Sequence, residues 1–123
     1  MKLMIAADHA GFPLKEYLKQ QLRAAGHVVE DVGTYSTEPV DYPDYARKVT
    51  ERVVLGRAER GIFICGSGQG AAMTTNKIAG ARAALVADSY SARQSVEHDD
   101  ANILCLGARV LGTALAAEII GGR

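Results

Sequence analysis

The sequence predicts an α/β protein in which a five-stranded parallel sheet is covered by helices on both faces. Three observations predict it. Short apolar runs alternate with amphipathic stretches from one end of the chain to the other. The apolar runs are continuous, without the in–out alternation of a half-solvated antiparallel strand. Polar residues capable of chemistry recur just after these runs, at the edge where open α/β sheets bind ligands.

Residues 2–7 form the first strand and run into Asp8-His9-Ala10-Gly11. Residues 12–25 follow as a helix, with Pro13 in its first turn and Gly26 just past its last. Leu14, Tyr17, Leu18 and Leu22 make its apolar face, and Lys15, Lys19 and Arg23 fall elsewhere. A second strand over 27–32 leads into the longest loop, 33–43, rich in Tyr, Ser, Thr and Pro. Residues 42–55 read as a helix stopped by Gly56, and 61–65 as the third strand. A short helix over 71–78, a strand over 81–87, a helix over 89–98, a strand over 102–106 and a helix over 112–120 complete the chain. The crossovers joining parallel strands are right-handed. No internal repeat, low-complexity tract or linker interrupts the pattern.

The 123 residues are read as one domain, 1–123. Fourteen basic residues balance fourteen acidic ones, which argues against electrostatic capture of nucleic acid or a membrane. No apolar stretch approaches the ~20 residues of a spanning helix, and the N-terminus enters a strand with no room for a signal peptide. Two cysteines near buried strands make no disulfide framework, so the expectation is a reduced, cytoplasmic protein.

Cys65 closes the third strand and opens Gly66-Ser67-Gly68-Gln69-Gly70. Glycines let the backbone approach a ligand and aim successive N–H groups at an anion. A helix N-terminus beside the sulfur favours thiolate over thiol. Several chemistries share such a loop. A Cys-x5-Arg phosphatase loop fails, because Ala71 stands where the arginine belongs. Gly66-x-Gly68-x-x-Ala71 matches a dinucleotide fingerprint with Asp88 at ribose distance, but on the third strand and with too little chain left for a substrate domain. A phosphoryl-accepting cysteine stays open.

Asp8-His9, Asp88-Ser89 and Arg109 follow strands one, four and five and fall on the same sheet edge as Cys65. Asp8 serves equally well as a helix cap, and Arg109 as a surface arginine. A metal site from His9, His98 and the aspartates lacks His-x3-His or His-x-His spacing. Tyr35, Tyr42 and Tyr45 read as core and loop packing. His98-Asp99-Asp100 reads equally as a solvated turn; it precedes strand five, on the opposite edge, so its own chain cannot easily bring it to the cleft, whereas a second copy in a symmetric dimer could.

Together these residues resemble the ribose-5-phosphate isomerase B family, with its galactose 6-phosphate and allose 6-phosphate relatives. The matching segments are 7–12 (Ala-Asp-His-Ala-Gly-Phe), Asp41-Tyr42-Pro43, 64–70 (Ile-Cys-Gly-Ser-Gly-Gln-Gly), Asn76-Lys77, Asn102-Ile103-Leu104 and Gly107-Ala108-Arg109. The resemblance implies a Rossmann-like three-layer sandwich and a homodimer with shared active sites, or a tetramer. It implies cofactor-free and metal-free aldose–ketose isomerisation of a sugar phosphate, foremost ribose 5-phosphate to ribulose 5-phosphate, through a cis-enediolate. A hexose 6-phosphate is the alternative substrate, and a non-catalytic phosphate- or nucleotide-binding module the alternative class. Carried over by position, Cys65 is the base, Ser67 and Asp8 shuttle hydroxyl protons, and His98 of the neighbouring copy opens the sugar ring. Gly66, Ser67, Gly68, Gln69 and Gly70 hold enediolate oxygens, Asp8 and Asp99 meet sugar hydroxyls, and His9 and Arg109 meet the phosphate. Two departures stand out. Asp99 replaces the family's usual asparagine, and the sequence ends at Gly121-Gly122-Arg123, where the family continues through a longer helix with further phosphate-binding arginines. Arg123 is the candidate stand-in.

Overall fold

The computed structural model describes residues 1–121. Its elements alternate strictly: β1 Lys2–Ala7, α1 Phe12–Ala24, β2 Val28–Asp31, α2 Tyr42–Val54, β3 Arg60–Cys65, α3 Gln69–Thr75, β4 Ala83–Leu85, α4 Ser89–Glu97, β5 Ile103–Gly107 and α5 Thr113–Gly121. The five strands are parallel, in the order β2-β1-β3-β5-β4. Arg123 and the expectation attached to it lie outside the described residues.

Both sheet faces are covered, which explains the unbroken apolar strands. Leu3, Ile5 and Ala7 of β1, Ile62 and Ile64 of β3, and Leu104 and Leu106 of β5 pack under α1, α4 and α5. The alternate residues Met4, Ala6, Phe63, Cys65, Ile103 and Cys105 pack under α2 and α3. Each large side chain removed from water in this way contributes about 1.5–3 kcal/mol. Cys65 therefore belongs to the α2/α3 face.

Helix ends follow local chemistry. After α1, the Gly26 N–H donates to the Arg23 carbonyl and the His27 N–H to Leu22, both at 3.1 Å, which satisfies the last-turn carbonyls. Asp88 caps α4 by accepting the Ser91 N–H at 2.7 Å.

Three expectations need correction. α3 begins at Gln69 rather than Ala71, because Gly68 adopts a left-handed φ of +85° and starts the helix two residues early. β4 keeps only three of the seven predicted residues. It is an edge strand, and the Asn76 side chain pairs with it instead, accepting from the Ala83 N–H and donating to the Ala83 carbonyl. Lys15, placed off the apolar face by sequence, is fully buried.

Candidate active site

β1 and β3 are neighbours, and β5 lies beside β3, so the turns after these three strands converge. They surround an open cleft of about 410 Å³. Asp8 comes from the turn after β1, Cys65 from the end of β3, Gly66 and Ser67 from the β3–α3 turn, Gly70 from the first turn of α3, and Arg109 with Val110 from the turn after β5. Tyr42, the first residue of α2, completes the lining.

Cys65 is 5% exposed, and its Sγ accepts the Gly68 N–H at 3.2 Å. The left-handed backbone of Gly68 turns that N–H back onto the sulfur. Cys105 differs in kind. Burial pushes its thiol up to about 12, and nearby Cys65 adds to the shift, so it stays a neutral thiol near neutral pH.

Of the N–H groups expected to face substrate oxygens, two are already engaged. Gly68 donates to Cys65, and Gln69 donates to the Ser67 hydroxyl at 3.2 Å. Among the described residues the Gly66, Ser67 and Gly70 N–H groups donate no hydrogen bond. These three remain for a ligand. Gln69 is exposed and lies outside the cleft lining, as does buried Gly68.

Asp8 is buried and held from two sides. Its N–H donates to the Ile64 carbonyl at 3.1 Å, and its Oδ1 accepts the Gly11 N–H at 3.0 Å. The second carboxylate oxygen accepts no hydrogen bond among the described residues. Helix-end ordering and cleft-lining thus coexist in one residue. Half-buried His9 does not line the cleft; its Nδ1 accepts the Val40 N–H at 3.1 Å. A neutral ring bonded in this way carries its proton on Nε2.

The Arg109 backbone is anchored by its N–H to the Gly66 carbonyl at 2.9 Å. Its guanidinium lies over Gly66, where an added Cβ would meet Nη1 at 3.4 Å. Among the described residues no carboxylate pairs with it. The cleft therefore holds a thiol, a carboxylate, three available backbone donors and a free guanidinium. That set can move a proton between carbons and hold an anion.

Tyr42 is the residue that sequence reasoning missed. Its ring presses on Gly70, where an added Cβ would lie 2.7 Å from Cζ and 2.8 Å from Oη. A glycine as the second residue of α3 was the available signal, but only the crossing of α2 over α3 says what fills the space. Asp88 and Ser89 do not reach the cleft. β4 lies at the sheet edge, with β5 between it and β3, and Asp88 caps its own helix while Ser89 donates to Glu118 at 2.7 Å.

His98 caps the far end of α4, and Asp99 and Asp100 follow, all exposed. Arg82 pins this turn by donating to the Asp100 carbonyl at 2.6 Å. The turn lies at the N-terminal end of β5, opposite the cleft, as expected from the sequence.

A parallel α/β sheet with a thiol, a carboxylate and an anion cradle at its C-terminal edge defines the class: a Rossmann-like protein built for small anionic ligands. The chain belongs to the ribose/galactose isomerase family, whose profile matches residues 3–122. It is 43% identical over 119 residues to ribose-5-phosphate isomerase B of Escherichia coli, covering 97% of this chain and 80% of that protein. It is 41% identical over 123 residues to D-erythrulose-4-phosphate isomerase 2 of Mycolicibacterium smegmatis, covering 98% and 81%. The solved ribose-5-phosphate isomerase B of Clostridium thermocellum superposes with a TM-score of 0.97 at 48% identity, over 99% of this chain and 82% of that one. The chain is thus a sugar-phosphate isomerase by family. Among the described residues no helix is long and apolar enough to cross a membrane.

Proposed function

We propose that the chain interconverts ribose 5-phosphate and ribulose 5-phosphate, with Cys65 as the base. The observation that carries this reading is Cys65 Sγ at the wall of a cleft that Arg109 also lines, bonded by the Gly68 N–H. The Cys65 thiolate takes the proton from C2 of the open-chain aldose. The C2–H electron pair forms the C1–C2 double bond of a cis-enediolate, and the carbonyl oxygen takes up the negative charge. The Ser67 and Gly70 N–H groups stabilise that oxygen, and Asp8 and Ser67 move the proton between the two hydroxyls. Cys65 then returns its proton to C1, which leaves the ketose. Arg109 binds the phosphate, with His9 supporting it through Nε2–H.

The ring-opening step is assigned to a histidine, and among the described residues none lines the cleft in one chain. His98 at the opposite sheet edge takes that step from a second copy, in a cytoplasmic homodimer with two shared sites. Asp99 would meet a sugar hydroxyl beside it.

Assay of turnover with ribose 5-phosphate, allose 6-phosphate, galactose 6-phosphate and erythrulose 4-phosphate tests the reading. The highest kcat/KM is expected for ribose 5-phosphate. Preference for another sugar phosphate would move the substrate while keeping the chemistry, and turnover of none would overturn it.

A further inference from the structure

Four charged side chains meet outside the cleft, where the mechanism makes no use of them. Lys15 Nζ lies 2.9 Å from Glu16 Oε2 and also contacts Asp31 Oδ2, while Lys19 Nζ lies 2.9 Å and 2.7 Å from the same two oxygens. The Lys15 side chain is 0% exposed and that of Asp31 9%. Lys15 Nζ also sits 5.2 Å from the Phe12 ring centre and 5.3 Å from that of Tyr35, within cation–π range. Apolar side chains of the same volume would fasten α1 to β2 without desolvating charge. The polar set does something an apolar one cannot, because it also fixes backbone.

Asp31 carries that function. While Oδ2 takes the two ammonium groups, Oδ1 accepts the Gly33 N–H at 2.9 Å, and the Asp31 carbonyl accepts the Tyr35 hydroxyl at 3.0 Å. The turn fixed in this way brackets the end of β1. Ala7 donates to the Gly33 carbonyl and accepts the Thr34 N–H, both at 2.8 Å, one residue before Asp8. Residues 32–41 contain no helix or strand, yet they end on the Val40 N–H that holds His9 and on the Tyr42 ring that walls the cleft.

We propose that Lys15 is a positioning residue for the cleft: through Asp31 it sets the start of the 33–41 segment, and thereby the orientation of His9 and the placement of Tyr42. The consequence for binding rests on the sugar-phosphate reading above. Misplaced binding groups weaken ground-state and transition-state binding alike, which raises KM and spares kcat.

The test compares wild type with Lys15→Met, which keeps length and removes charge, at a temperature where both are folded by circular dichroism. KM for ribose 5-phosphate is expected to rise about tenfold with kcat within about twofold. Amide hydrogen exchange at Val40 is expected to accelerate while the core amides of β3 keep their protection. A merely structural role would lower the melting temperature and leave both readouts unchanged, and that result overturns the proposal. A change in one readout without the other overturns it as well. Should Lys15→Met fail to fold, Tyr35→Phe decides, since Tyr35 is 68% exposed and loses only its bond to Asp31. Its expected result is a smaller KM rise and faster Val40 exchange, and wild-type values overturn the proposal. Wild-type protein that turns over no sugar phosphate refutes the functional reading instead, and Val40 exchange still decides the positioning claim.

Discussion

The Cys65 sulfur accepts a hydrogen bond from the Gly68 N–H at 3.2 Å, and Gly68 can aim that N–H only because its φ is +85°. A Cβ at position 68 would also lie 2.4 Å from Leu85 Cδ1 and 3.1 Å from the Leu106 carbonyl carbon. The same glycine therefore orients the turn, seats it against β5 and holds the Cys65 sulfur. Thiol and turn are one backbone unit.

Replacing Cys65 by serine is expected to lower kcat by at least about a thousandfold with little loss of thermal stability, since a hydroxyl is a far weaker base near neutral pH. Steady-state kinetics and a melting curve check both halves. Iodoacetamide should modify Cys65 and spare Cys105 in the folded protein, because Cys105 is fully buried and its thiol is pushed up to about 12. Peptide mass spectrometry reads the site. Alkylation of Cys105 first would refute the distinction.

If His98 acts from a second copy, two inactive proteins should restore each other. Cys65→Ala mixed with His98→Ala gives hybrid dimers in which one of the two sites keeps both residues. Activity is expected to return toward about a quarter of wild type after random subunit exchange. An exchange control with tagged subunits is required, and no recovery under proven exchange places His98 outside the shared site.

Gly70→Ala is expected to displace the Tyr42 ring, since the new methyl would sit 2.7 Å from Cζ. Tyr42 is exposed and can swing away, so the cost falls on binding more than on folding. KM for ribose 5-phosphate should rise severalfold, and Tyr42→Ala should reproduce it. Because the two residues share one contact, the double substitution should be no worse than either single one.

The buried charge cluster gives stability a defined pH dependence. Burial by itself would raise the Asp31 carboxyl, but the bonds from Lys15, Lys19 and the Gly33 N–H outweigh it and hold the group below its ordinary 3.8. Glu16 likewise ends below 4.5, because its bonds to Lys19 and Lys15 overcome burial. Folded pKa values below the unfolded ones mean that stabilisation is complete above the unfolded values and lost as pH falls through the folded ones. Lys19 has the opposite sign: burial lowers it, but its bonds to Asp31 and Glu16 outweigh that and raise it above 10.5, so its contribution is lost as pH rises through that higher value. The melting temperature should show no loss from these groups between about pH 6 and 9 and should fall in acid below about pH 4. Asp31→Asn should melt lower at neutral pH and show a shallower acid limb, and parallel limbs would refute the assignment.

The sequence by itself determined the alternation of strands and helices, the ends of α1 and α4, and the emergence of Cys65 at the ligand-binding edge. Each depends on local physics: the period of apolar residues, Pro13 and Gly26 at helix ends, and a glycine turn after a buried strand. The placement of His98 at the far edge also followed from chain order alone, because successive parallel strands all point the same way. Strand order was not local. Only the assembled sheet put β5 between β3 and β4, which admits Arg109 to the cleft and leaves Asp88 outside it. Tyr42 and Lys15 show the same limit from the side-chain direction. Helical spacing marks which residues share a face, but not which neighbour covers that face. A lysine can be fully buried only where Asp31 from β2 and Glu16 compensate its charge, and Tyr42 walls the cleft only because α2 crosses Gly70. Asp31 lies far from Lys15 in sequence, and Gly70 far from Tyr42, so their meeting is a property of the tertiary fold.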